Sequence, residues 1–146
     1  MNKLGESKNS DSRQSANNCF VCGSNNPIGL KVEFSIAQGL CVGYFTPEPQ
    51  HAGYENVTHG GIIFSLLDDV MANWVWLQGE QCFTAKADVR YRSELPIGMK
   101  VRLEGHCLKR KGRLAQMETL VVDRWSVPPE LFRSRTLRDL LSAAPP

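Results

Sequence analysis

Residues 30–36 (LKVEFSI) alternate apolar and polar side chains, the pattern of a half-buried strand. A Gln38-Gly39 turn leads to a second strand at 40–46 (LCVGYFT), which Pro47 and Pro49 end because proline has no amide NH for a ladder. A loop through 50–57 follows. From Thr58 the pattern changes: Ile62, Ile63, Phe64, Leu66, Leu67, Val70, Met71, Trp74, Val75 and Leu77 are interrupted only by Ser65, Asp68, Asp69, Ala72, Asn73 and Trp76. This predicts a helix, apolar on nearly every face, that runs to about Leu77 and is stopped by Gly79. Such a helix has to be wrapped. Residues 81–93, 99–109 and 113–123 are long alternating segments able to wrap it. Turns at Leu95-Pro96-Ile97-Gly98 and Arg110-Lys111-Gly112 favour consecutive antiparallel pairing over crossovers. The predicted fold class is α+β, a long antiparallel sheet around one central helix.

The two ends read differently. Residues 1–18 carry almost no apolar side chains and are expected to form a flexible arm, with the folded domain spanning 19–123. Residues 124–146 form an atypical tail: after Pro128-Pro129, a final strand is not recognisable. Leu131, Phe132, Leu137, Leu140 and Leu141 fit either a short helix covering a sheet edge or a loose tail.

At 146 residues and 42% apolar composition, the chain can bury one core and is read as one domain. Its 17 Lys and Arg against 15 Asp and Glu leave a net charge of +2, too small to mark a nucleic-acid surface. No apolar run approaches the roughly 18 residues that cross a bilayer, and no export signal opens the chain, so no membrane partner and a cytoplasmic location are expected. Cys19, Cys22, Cys41, Cys82 and Cys107 are an odd set, unsuited to a disulfide framework. Cys19 and Cys22 form a C-x-x-C pair, but tetrahedral zinc needs two further ligands and no second such pair exists; the expectation is no metal and no cofactor.

Two carboxylates stand inside the most apolar helix, where an unpaired charge costs several kcal/mol. Asp69 shares a face with Ser65 and Asn73, at four-residue spacing, and is assigned to a solvated stripe. The same stripe is the alternative for Asp68, which however follows His59-Gly60-Gly61, the start of the helix. Glycines there keep the backbone bare, so amide donors and the positive end of the helix dipole can meet a ligand oxygen. An electrophile-binding helix start and an acid further along it form a candidate catalytic constellation.

The segments CFVCGSNNPIGL, HGGIIFSLLDD and VRYRSELPIG together resemble the hotdog-fold thioesterases, in particular the PaaI-like acyl-CoA thioesterases, over most of the chain. The resemblance implies an acyl-CoA thioesterase that hydrolyses a thioester to free acid and coenzyme A, working as a homodimer or as a homotetramer built from two dimers. It implies that Asp68 is nucleophile or general base, that the Gly60 NH stabilises the oxyanion, that His59 shapes the site by hydrogen bonding, and that Thr84 orients water. Glycine and acid would come from opposite subunits. Gly61, Phe64 and Asn56 would contact the substrate, and Asp68 would lie poorly solvated beside an apolar pocket; Phe64, Leu67, Met71 and Trp74 are candidates to line the acyl chain, with core packing the favoured reading for most of them. Arg110 and Lys111, with Lys109 and Arg113, either meet the phosphates of coenzyme A or form a solvated basic turn. The alternative of another class is a hotdog module that binds acyl-CoA or another apolar ligand without turning it over.

Overall fold

A computed structural model describes residues 16–122 and 130–141. They fall into two compact units divided after Glu33. The expected arm at 1–18 thus lies mostly outside the described residues, as do 123–129 and 142–146.

In the first unit the Gly23 amide bonds the Cys19 carbonyl at 2.9 Å, closing a turn through the C-x-x-C pair. The amides of Leu30 and Val32 donate to the carbonyls of Phe20 and Val21 at 2.8 and 2.9 Å. Lys31 between them has a left-handed φ of 55°. A side-chain alternation that would make one strand of 30–36 is therefore broken, and strand β1 is only Ser35–Ala37. The described cysteines are all thiols.

The second unit begins at Phe34 and holds β1, β2 (Leu40–Phe45), a 3₁₀ turn (Pro49–His51), helix α1 (Gly60–Trp76), β3 (Gln81–Tyr91), β4 (Val101–Lys111), β5 (Leu114–Val122) and β6 (Glu130–Leu141). Gln38 and Gly39 both have positive φ, 52° and 79°, as a two-residue turn between tightly paired strands requires. The six strands form one sheet in the order β1-β2-β4-β5-β6-β3, every pair antiparallel. The predicted class, one helix against an antiparallel sheet, is the class observed.

Two expectations are corrected here. The tail is not a helix: Glu130–Leu141 is a strand, paired on one side with β5 and on the other with β3. Its side-chain series mixes small, basic and apolar residues without a clean period of two, so the pairing is supplied by the two open ladders beside it. Nor do β3 and β4 form a hairpin. The segment between them is tied to the chain that precedes α1: Thr58 N donates to Leu95 O at 2.8 Å, Ile97 N to Asn56 O at 3.0 Å and Gly98 N to Pro47 O at 2.8 Å. Leu95 is fully buried there. Anchored in this way, the chain crosses to place β4 beside β2.

Helix α1 packs on β2, β3, β4, β5 and β6. It buries Ile63, Leu66, Leu67, Val70, Met71 and Val75, each such side chain contributing about 1.5–3 kcal/mol, over Val101, Leu103, Ala115, Met117 and Val121 of the sheet. Buried Thr119 donates to the Leu67 carbonyl at 3.2 Å, pinning helix to sheet. Leu67 and Met71 are core residues with no exposure, so they are not open to an acyl chain. Phe64 is 37% exposed, and Trp74 donates its indole NH to Gly39 O at 3.0 Å. Asp69 and Asn73 do share a line, with Asn73 Nδ2 donating to Asp69 Oδ2 at 2.9 Å; Ser65 and Asp69 are half-buried and Asn73 is buried, so the stripe is solvated only in part. Among the described residues no helix is long and apolar enough to cross a membrane.

Burial, and then the nearby charge of Asp69, push the Cys41 thiol up to about 12. The unfolded thiol ionises near its ordinary value while the folded one stays protonated, so stability is lost as pH rises from about 9 towards 12. Melting temperatures across that range are expected to fall less steeply in Cys41→Val than in the wild type.

Candidate active site

The helix start is built by His59. Its backbone is extended, and its Nδ1 accepts the Gly61 amide at 2.8 Å, which caps the helix. A Cβ at position 61 would lie 2.9 Å from that nitrogen, so the cap itself demands glycine. With Nδ1 accepting, the neutral ring carries its proton on Nε2. The His59 carbonyl takes the amides of Ile62 and Ile63 at 3.0 and 3.2 Å. Of the first-turn donors, the Gly60 NH is then the one without an acceptor among the described residues, and it stands at the positive end of the helix. Two clefts meet at His59. One, of about 390 Å³, is lined by Gln50, His51, Ala52, His59, Gly61, Ile62 and Ser65. The other, of about 360 Å³, is lined by Gly53, Tyr54, Val57, Thr58, His59 and Gly60.

Asp68 lies elsewhere. Eight residues along a helix amount to about 12 Å, so it and Gly60 of the same chain cannot reach one carbonyl group. Neither cleft is lined by Asp68. Its Oδ1 accepts the Thr84 hydroxyl at 2.6 Å and Arg138 Nη2 at 2.9 Å. Arg138 also donates from Nη1 to Thr84 Oγ1 and from Nη2 to the Asp68 carbonyl. The Arg138 side chain is 2% exposed, whereas that of Asp68 is one-third exposed. Sequence reasoning missed Arg138 altogether, because it falls in the stretch read as a helical or loose tail. The expectation of an acid stranded beside an apolar pocket is replaced by an acid in an ion pair with a buried cation.

The strand β3 carries both ends of this arrangement. Thr84 and Tyr91 are seven residues apart, an odd number that places them on opposite faces of a regular strand. A bulge between Thr84 and Lys86 reverses the alternation. Thr84 therefore meets Asp68, and Tyr91 donates its hydroxyl to the Gly60 carbonyl at 3.0 Å. Burial pushes the Tyr91 phenol up. Cys82, two residues before Thr84, is pushed up by burial and drawn back by the Arg138 charge. Thr84 spends its single proton on Asp68, which leaves it only a lone pair with which to orient water.

The remaining candidates are dispersed. Asn56 has a left-handed φ of 60° and its carbonyl accepts Ile97 N; it lines neither cleft. Arg110 is engaged by Glu80 through two bonds of 3.0 Å, so a phosphate would have to displace that carboxylate, and Lys111 is exposed beside it. Gly61 lines the larger cleft, next to Ile62.

Comparison with known proteins follows the same geometry. The model of the thioesterase superfamily matches residues 55–124, from the loop before α1 through β5. Acyl-coenzyme A thioesterase THEM5 of Mus musculus is 28% identical over 64 residues, which are 44% of this chain and a quarter of that protein's length. Among solved structures, zebrafish thioesterase superfamily member 2 superposes with a TM-score of 0.71 at 19% identity, covering 88% of this chain and 94% of that one. The smu.793 protein of Streptococcus mutans, solved with acetyl-CoA, gives 0.69 at 16% identity over 76% and 89%. The fold is thus the hotdog fold.

The capping role of His59 is open to measurement. His59→Ala should lower unfolding free energy by about 0.5–2 kcal/mol, and His59→Asn by no more than a few tenths, in denaturant titrations.

Proposed function

We propose that this chain, a member of the thioesterase superfamily, is a homodimeric acyl-CoA thioesterase whose site is completed across the subunit interface. What supports this reading most is the single unclaimed amide at Gly60 set about 12 Å along the helix from the acid Asp68. One chain holds both halves of a hydrolytic site and cannot join them.

The sheet supports a way to join them. β3 is the last strand in the order of the sheet, eleven residues long, with β6 as its one neighbouring strand among the described residues. An edge of that length invites a second strand. In β3 the acid sits at Thr84 and the helix start at Tyr91. If two copies of β3 pair antiparallel about a dyad between Ala87 and Asp88, Thr84 of each lies opposite Tyr91 of the other. Asp68 of one subunit then faces Gly60 of the second. A further pairing of dimers into a tetramer is compatible with the same site.

In the reaction, the thioester carbonyl oxygen accepts the Gly60 NH, and the dipole of α1 stabilises the charge that develops there. Asp68 either takes a proton from water as the water oxygen attacks the carbonyl carbon, or attacks that carbon itself. In the first route the C–O bond forms, the C–S bond breaks, and the proton passes to the coenzyme A thiolate. In the second the thiolate leaves first, and water then opens the mixed anhydride to regenerate Asp68. The acyl chain lies along exposed Phe64, and the clefts flanking His59 receive the substrate around its carbonyl. The basic hairpin meets the coenzyme A phosphates through Lys109 and Lys111, with Arg110 held to Glu80.

Gly60→Pro tests the donor. Proline is favoured at the first helical position, and the extended backbone of His59, with ψ of 133°, accepts a following proline. The variant should fold and lose about 10²–10³-fold in kcat in thiol-release assays with acetyl-, hexanoyl- and phenylacetyl-CoA. Asp68→Asn should be similarly inactive. After subunit exchange, a mixture of the two should recover about a quarter of wild-type activity, since half the dimers carry one intact site of two. Ligand-induced stabilisation with no release of thiol by the wild type would instead establish a binding module.

A further inference from the structure

We propose that Arg138 is a positioning residue for this reaction, holding Asp68 so that only Oδ2 is presented to the substrate. This rests on the thioesterase reading of Asp68.

The guanidinium grips one residue at two points. Nη2 donates to both the backbone carbonyl and Oδ1 of Asp68, while Nη1 donates to the Thr84 hydroxyl that itself donates to Oδ1. A carboxylate that is free to rotate can exchange its two oxygens. With the Thr84 hydroxyl and Arg138 both seated on Oδ1, that rotation breaks two bonds at once, and one of them is to a buried cation. Oδ2 makes no hydrogen bond among the described residues, and it belongs to a side chain one-third exposed. Oδ1 is the held oxygen and Oδ2 the reactive one.

The bonds of Arg138 to the acid and the threonine are all made by its two Nη groups. Its Nε is buried and has no partner among the described residues. The side chain satisfies the acid and the threonine at the expense of one of its own donors. Its place in the sheet fixes the approach: Arg138 stands opposite Thr84 on β3 and Ala115 on β5, so β6 delivers the cation between the threonine and the helix. A lysine at this place would keep the charge but is a single point donor on a flexible stem, unable to span the carbonyl, the carboxylate and the hydroxyl together.

Arg138→Lys therefore separates positioning from charge. With the same three acyl-CoA substrates, kcat should fall by at least about tenfold while KM stays within about threefold, since misplacement by an ångström costs that much or more. Losses should not multiply: Asp68→Asn with Arg138→Lys should be no slower than Asp68→Asn alone. An Arg138→Lys enzyme with wild-type kcat, a loss confined to KM, or losses that multiply with Asp68→Asn would overturn the inference while leaving the thioesterase reading intact. Wild-type protein that turns over none of the substrates would overturn both. If Arg138→Lys does not fold, Arg138→Gln is measured in its place; failure of both to fold assigns Arg138 to the fold alone and also overturns the inference.

Discussion

The ion pair between Asp68 and the buried Arg138 is what lets a helix apolar on nearly every face carry that carboxylate against the sheet. α1 carries Asp68 among Leu66, Leu67, Val70 and Met71, each with no exposure. The cation is Arg138, on the strand that completes the sheet between β5 and β3. Without β6 the acid would face an open ladder and no guanidinium. The last strand is therefore architecture that also seats the cation beside Asp68, and Thr84 shares a contact with Arg138.

One added residue in β3 links that acid to the far end of the helix. The bulge after Thr84 lets a single strand turn Thr84 toward Asp68 and Tyr91 toward Gly60. Antiparallel pairing of two such strands is self-complementary, because the end that holds the acid lies beside the end that holds the helix start. In the proposed dimer, the interval between Asp68 and Gly60 is the one that a dyad spans.

Much of this was legible in the chain. The apolar run from Ile62 to Leu77 announced a wrapped helix, His59-Gly60-Gly61 its start, and Gly79 its end; the helix is Gly60–Trp76, with Gly79 at a φ of 87°. The alternating segments after it are strands within two residues of their expected limits. What could not be read arises from long-range pairing. The residues of β6 have no marked period, because a strand buried between two neighbours is selected by their ladders as much as by its own side chains. The crossover after β3 depends on hydrogen bonds from 95–98 back to 47–58, contacts that local pattern does not report. Arg110 looked available to phosphate because Glu80, thirty residues away, is invisible as its partner until the chain folds.

Stability alone does not account for a guanidinium in the position of Arg138. Replacing a buried ion pair with well-packed apolar side chains is often neutral or stabilising, whereas losing one partner leaves an uncompensated charge. A fold that needed only a filled site between β3 and α1 would be served by a leucine at both positions. Arg138 instead directs its Nη donors to Asp68 and Thr84 while its own Nε goes unsatisfied. Such a side chain specifies one geometry for the acid against all others. The proposed reaction gives that specification a use, because in it Asp68 meets a carbonyl held by a different subunit.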